Sequence, residues 1–317
     1  MRFSRFIDSL SIKASILAVL ALSGCIATTL PYMRNETAQR IASPAWMIQR
    51  DIPANALKLR AYERIHDRGG VANLYIEGEG GAFSAPALWT LNPTPENPVA
   101  LHMATKDKAE NLIYLARPCQ YVGTDDCDEQ NWKSARFSED VLTSYNAALD
   151  EIARRYDIKG FNLIGYSGGG AIATLLSAKR DDILSLRTVS AILDHKTLSS
   201  STNSTSASYD FSKSLNPADY AEDLIGVPQY HFIGGQDAHI PPAVLHSYLQ
   251  SMPPSTCVQT MLIQEAGYDE GWVNKWPELV SLPINCYQSD APVIEPVSPT
   301  PPLTMPTKTL RETPVKP

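Results

Sequence analysis

Positive charge is scarce in this chain. Its 317 residues carry 27 Lys and Arg against 34 Asp and Glu, a net charge of −7. That balance argues against nucleic acid as a partner, because phosphate contacts need a basic surface. The patterns that hold cofactors are missing as well. There is no C-x-x-C pair, no cluster with metal-ligand spacing and no glycine-rich phosphate loop at a sheet's first turn. No cofactor and no metal is therefore expected. Ala14–Leu22 is apolar but too short to span a bilayer, and no second long apolar run follows. Histidine is sparse too, with six in all: His66, His102, His195, His231, His239 and His246.

The N-terminus has the layout of an export signal. Arg2, Arg5 and Lys13 precede the apolar run, which closes on Leu22-Ser23-Gly24-Cys25. That tetrapeptide resembles the lipobox of bacterial lipoproteins. The resemblance implies cleavage before Cys25, lipidation of its thiol and an anchor in the cell envelope, on the periplasmic face. Ile26 rather than Asp after the cysteine points to the outer membrane. A doubly acylated cysteine holds a membrane stably where one chain is marginal. Residues Ile26–Ala56 show no clear period and are expected to form a tether and lead-in segment. The folded domain is expected over Leu57–Cys286. Ser289–Pro317 holds eight of the 24 prolines and little apolar content. It reads as a solvated, polyproline-like tail, with cell-wall contact as the alternative. Cys119, Cys127, Cys257 and Cys286 remain, an even number in an exported chain. The simplest pairing is Cys119–Cys127 and Cys257–Cys286; sequence leaves others open.

The organising stretch is Phe161–Ala178, FNLIGYSGGGAIATLLSA. It reads as a buried strand, a glycine-crowded turn holding Ser167, and a helix. Gly165-Tyr166-Ser167-Gly168-Gly169 fits G-x-S-x-G, in which small residues flank a serine on a sharp turn. A plain glycine-rich turn is the bland alternative. Around it, Leu57–Ile65, Val71–Ile76, Asn111–Ala116, Thr188–Leu193, Gln229–Ile233 and Val258–Ile263 read as strands. Ser138–Tyr156 reads as a capped amphipathic helix and Pro217–Ile225 as a short one. This alternation predicts an α/β fold, a mostly parallel sheet with helices on both faces. The serine-rich run between His195 and Pro217 is expected to be a lid or a mobile connection.

With its strand–turn–helix setting, G-x-S-x-G makes the chain resemble the α/β-hydrolase family, over roughly Leu57–Cys286. The resemblance implies Ser167 as nucleophile. It implies an oxyanion hole from the amide of Gly168 and one near Gly78, Glu79 or Gly80, in Glu77-Gly78-Glu79-Gly80-Gly81. It places the triad acid at Asp237, in Gly234-Gly235-Gln236-Asp237, with Asp194 as the alternative and a helix-capping turn as the bland reading. It expects a catalytic histidine near Tyr268, where Glu265-Ala266-Gly267-Tyr268-Asp269-Glu270 contains none. His239 and His195 are the candidate substitutes. The implied function is an esterase or acyl hydrolase taking a small ester or acyl substrate. The competing expectation is a hydrolase fold that lost its base and serves as an envelope binding or interaction module. A purely structural tether is a third class.

Overall fold

The computed structural model describes residues 32–82, 92–122, 127–201, 210–254 and 257–286. The expected signal peptide, Cys25 with its expected lipid, the Pro-rich tail and residues 202–209 of the serine-rich run lie outside them. One eight-stranded sheet organises the chain, in the order β1-β2-β4-β3-β5-β6-β7-β8. Its strands are β1 (Ile48–Ala54), β2 (Leu57–Ile65), β3 (Val71–Ile76), β4 (Asn111–Leu115), β5 (Gly160–Tyr166), β6 (Ile183–Val189), β7 (Gln229–Gly234) and β8 (Val258–Ile263). β1 and β2 pair antiparallel, as do β2 and β4. All later pairings are parallel.

The helices divide between the two faces. α3 (Glu139–Tyr156), α4 (Gly168–Ser177), α5 (His195–Ser201) and α6 (Pro242–Gln250) bury apolar side chains in one core. α1 (residues 32–42), α2 (Val99–Lys106) and α7 (Trp272–Ser281) cover the other. The parallel strands between these layers lack a wet face, which is why β4 and β5 are almost wholly buried. α3 shows the local logic. Ser138 Oγ accepts the Val141 amide, two acids occupy the first turn and Arg154 and Arg155 the last, and the apolar stripe from Val141 to Ile152 is buried.

Three expectations shift. The segment before Leu57, read as tether and lead-in, supplies α1 and β1: Ala38 and Ala42 are buried, and β1 pairs with β2 along its length. Only Ile52 and Ala54 of β1 are buried, so an edge strand with few apolar contacts leaves a weak period. β6 lies earlier than Thr188–Leu193, because Leu186 and Val189 face inward while Leu184 is exposed. Pro217–Leu224 is a 3-10 helix. Both disulfides, Cys119–Cys127 and Cys257–Cys286, are formed.

Candidate active site

The turn between β5 and α4 has the geometry of a nucleophile elbow. A Cβ on Gly165 would collide with the backbone of Gly169 and Gly170, so strand and helix approach as closely as glycine permits. Ser167 sits at φ 53°, ψ −121°, a strained conformation for a residue with a Cβ. Its amide donates to Val189 O at 2.9 Å, and its carbonyl accepts from Gly170 and Ile192. The turn is thus held by the neighbouring strand end rather than by its own preference. Relief of this strain is measurable. Ser167→Gly is expected to be more stable than Ser167→Ala by about 1 kcal/mol in urea titration, the reverse of the usual order for these residues.

What surrounds the serine departs from the expected constellation. Ser167 Oγ donates to Glu79 Oε2 at 2.9 Å. Its one proton given, Oγ accepts from the Tyr268 hydroxyl at 2.6 Å. Burial first, then the charge of Glu79, pushes the Tyr268 phenol well above its ordinary range. A neutral phenol donating to Oγ is no base for it. Tyr268 is fixed in place: its carbonyl accepts from the Tyr166 hydroxyl at 3.0 Å and from Trp272 Nε1 at 3.0 Å. Ser167 has no solvent exposure.

The amides of Gly168 and Gly78, expected to line an oxyanion hole, are taken up by carboxyl side chains. The Gly168 amide, expected to face a substrate oxyanion, donates to Glu79 Oε2 at 2.8 Å. Glu79 was expected to lend a backbone amide; its carboxylate accepts the hydrogen bond of the Gly168 amide. The Gly78 amide is also committed, to Glu77 Oε1 at 3.0 Å. Gly80 holds a positive φ of 56° and lines the neighbouring cavity. Glu79 is held from behind by Arg117, whose Nη1 lies 3.1 Å from Oε1, with both side chains buried. Arg117 Nη2 donates to Arg136 O at 2.7 Å. Its backbone amide donates to Gln120 Oε1, and Gln120 Nε2 donates to Gly78 O. The Cys119–Cys127 bond ties the same loop.

The remaining candidates are dispersed. Asp237 Oδ1 accepts the amides of His239 and Ile240, as a turn aspartate does, while Oδ2 is buried without a hydrogen-bond partner. Asp237 is near enough to contribute to the upward shift of Tyr268. The His239 ring lies 4.7 Å from the Tyr268 ring. His195 stacks on Phe211 at 4.7 Å, and burial lowers its pKa. Neither histidine hydrogen-bonds Ser167. Asp194 is consumed by α5 and its surroundings, accepting from Thr197, Ser247 and Asn216. Among the described residues no His, Cys, Asp and Glu group is arranged to hold a metal ion.

Beside Tyr268 lies a cavity of about 260 Å³ that Tyr166, Tyr268, His239 and Glu77 help to line. Glu77 is buried; it accepts from the amides of Gly78 and Ala100 and from the Tyr114 hydroxyl. Burial is the larger influence and raises its pKa from 4.5 to about 7. The folded state then holds a proton that the unfolded chain has released. Stability from this group is full below pH 4.5 and is lost as pH rises to about 7. The loss is about 3 kcal/mol. Glu77→Gln is expected to flatten that part of the pH–stability curve, as denaturant midpoints at pH 5 and pH 8 would show.

Arg117 and Glu77 were not foreseen as site residues. Arg117 carried a signal, a charge closing the apolar run Asn111–Ala116.

The sheet order, the crossover helices and the serine elbow together define an α/β-hydrolase fold. No family model and no curated protein matches the chain. Solved structures do resemble it. Est1E from Butyrivibrio proteoclasticus superposes with a TM-score of 0.52 at 12% identity, over 73% of this chain and 95% of that one. An alpha-beta serine hydrolase homologue from Coxiella burnetii gives 0.51 at 13%, over 73% and 93%. A Pyrococcus furiosus esterase gives 0.52 at 11%, over 75% and 92%. At such identities the likeness is one of fold.

Proposed function

We propose that this chain is an envelope-anchored α/β-hydrolase-fold protein that binds a small ester- or acyl-type ligand beside Ser167 without turnover by a Ser–His–Asp triad. One observation carries the reading. The two hydrogen-bond partners of Ser167 Oγ are a carboxylate and a phenol, and neither is a histidine. The carboxylate also takes the Gly168 amide. Nucleophile activation and oxyanion stabilisation are therefore both compromised at one point. The cavity next to Tyr268 remains as a place for a ligand.

A second reading rests on the strain at Ser167, which persists at a cost of about 1–3 kcal/mol where surrounding structure enforces it. In this reading the chain is an esterase. Glu79 takes the Ser167 proton as Oγ adds to the ester carbonyl, then returns it to the departing alkoxide, leaving an acyl-serine for water to cleave. A fluorophosphonate probe separates the two. The first reading expects no Ser167-dependent labelling of the native chain over an hour. Labelling that Ser167→Ala and Glu79→Gln both abolish would establish the second.

The anchor is part of the proposal. The basic segment, the short apolar run and Leu22-Ser23-Gly24-Cys25 support it. Cys25→Ala is expected to leave the protein out of the membrane fraction. Unchanged membrane association of that variant would count against lipid anchoring.

A further inference from the structure

We propose that the cavity beside Tyr268 binds a small organic ammonium compound, with its positive charge against the tyrosine rings and the carboxylates of Glu77 and Asp269. This rests on the reading above that the cavity is a ligand site, and it adds the ligand's charge. The cavity is about 260 Å³, close to the lower end of the range of about 300–1,000 Å³ that holds drug-sized ligands.

Its lining has one sign of charge. Glu77, Glu96 and Asp269 contribute carboxyl groups, that of Glu77 ionised above about pH 7, and no Lys or Arg lines it among the described residues. Glu96 is offset by Arg34, whose Nη2 is 2.6 Å away. Glu77 and Asp269 have no such cation in the lining. Its aromatic wall is the second feature. Tyr166 and Tyr268 place their ring centroids 5.5 Å apart at 43°, and the His239 ring continues the row at 4.7 Å. Aromatic faces beside carboxylates are the usual surroundings of a bound ammonium group.

One further observation points the same way. Asp237 Oδ2 is buried and has no hydrogen-bond donor. Asp237 lies within electrostatic reach of both Tyr166 and Tyr268, which line the cavity. The Tyr166 hydroxyl, pushed up first by burial, is pushed further by Tyr268, Glu77, Asp269 and Asp237. With acidic groups and no Lys or Arg among the described lining residues, the charge at this wall is negative. An anionic ligand would enter it without a counter-charge, and a neutral ester would gain nothing from it. A cation would be attracted by the carboxylates and by the faces of the rings. An ester or amide bearing an ammonium group satisfies both this charge and the ligand class proposed above.

The test is calorimetric titration of the purified full chain at pH 8, where Glu77 is mostly ionised, with three probes of similar size: phenyltrimethylammonium, benzyl alcohol and benzoate. The cation is expected to bind at least about tenfold more tightly than either other probe. Asp269→Asn and Glu77→Gln are each expected to weaken it by roughly three- to tenfold and leave benzyl alcohol unchanged. Asn97→Trp is the blocking variant; Asn97 lines the cavity and is exposed, so the fold should tolerate it. It is expected to abolish binding. If benzyl alcohol or benzoate binds as tightly as the cation and Asn97→Trp abolishes all binding, the charge inference is overturned while the ligand-site reading stands. If no probe binds, both fall. Cation binding that survives Asn97→Trp places the site elsewhere and overturns the inference.

Discussion

The double variant Tyr268→His/Glu79→Ala is expected to label at Ser167 with a fluorophosphonate at least about 100-fold faster than the native chain, and faster than either single variant. In the first reading proposed above, the native centre has two separate deficits. The first is the missing base. A positioned general base contributes about 10²–10⁴-fold, and the Tyr268 hydroxyl stands 2.6 Å from Oγ, where an imidazole would have to reach. Asp237 is nearby with Oδ2 unpaired, so a new imidazole has an acid to orient it. The second deficit is the occupied oxyanion position. One oxyanion donor is worth about 10²–10³-fold, and the Gly168 amide is held by Glu79. Removing that carboxylate frees the amide and leaves the Arg117 guanidinium beside it, a further positive group for a developing oxyanion. Tyr268→His alone restores the base against a filled hole. Glu79→Ala alone opens the hole without a base. If Tyr268→His alone equals the double variant, Glu79 moves aside without cost and the oxyanion argument is wrong. If the folded double variant stays inert, the elbow does not present a reactive serine.

The sequence was most legible where periodicity and steric need coincide. β5 and the elbow follow from an apolar run ending in residues small enough for close approach, and Gly165 confirms that need. α3 announces itself by its cap, its charge distribution and its apolar stripe. β1 was obscure because an edge strand buries little. The Ser167 environment was legible only in its gap. The missing histidine at Tyr268 was evident, but nothing in Glu77-Gly78-Glu79-Gly80 reveals that a side chain rather than an amide would face Gly168. That depends on Arg117, 38 residues further along, which stabilises the buried carboxylate. Long-range charge pairing leaves no local period to read. Asp237 illustrates the converse. Its sequence position suggests a triad acid, while its Oδ1 satisfies the turn amides that any aspartate there would satisfy.

The same ion pair sets the largest expected stability effect. Glu79→Ala is expected to lose about 3–5 kcal/mol, because it leaves Arg117 charged and buried without its partner. The side chains of Arg117 and Glu79 are 3% and 1% exposed, so water cannot replace the missing contact without opening the loop. Arg117→Ala should cost a similar amount, since it strands the carboxylate beside Ser167. The pair itself is worth far less than either loss, because removing both charges from water offsets most of their attraction. The double variant Glu79→Gln/Arg117→Met should therefore recover most of the stability lost in either alanine variant. A double-mutant cycle of Glu79→Gln, Arg117→Met and the two combined, by guanidinium denaturation at pH 7, gives the coupling between the two groups. Strictly additive losses would mean that the two groups do not act as a unit. In that case Glu79 would be free to leave the Gly168 amide, and the serine centre would open without the rupture of a buried ion pair.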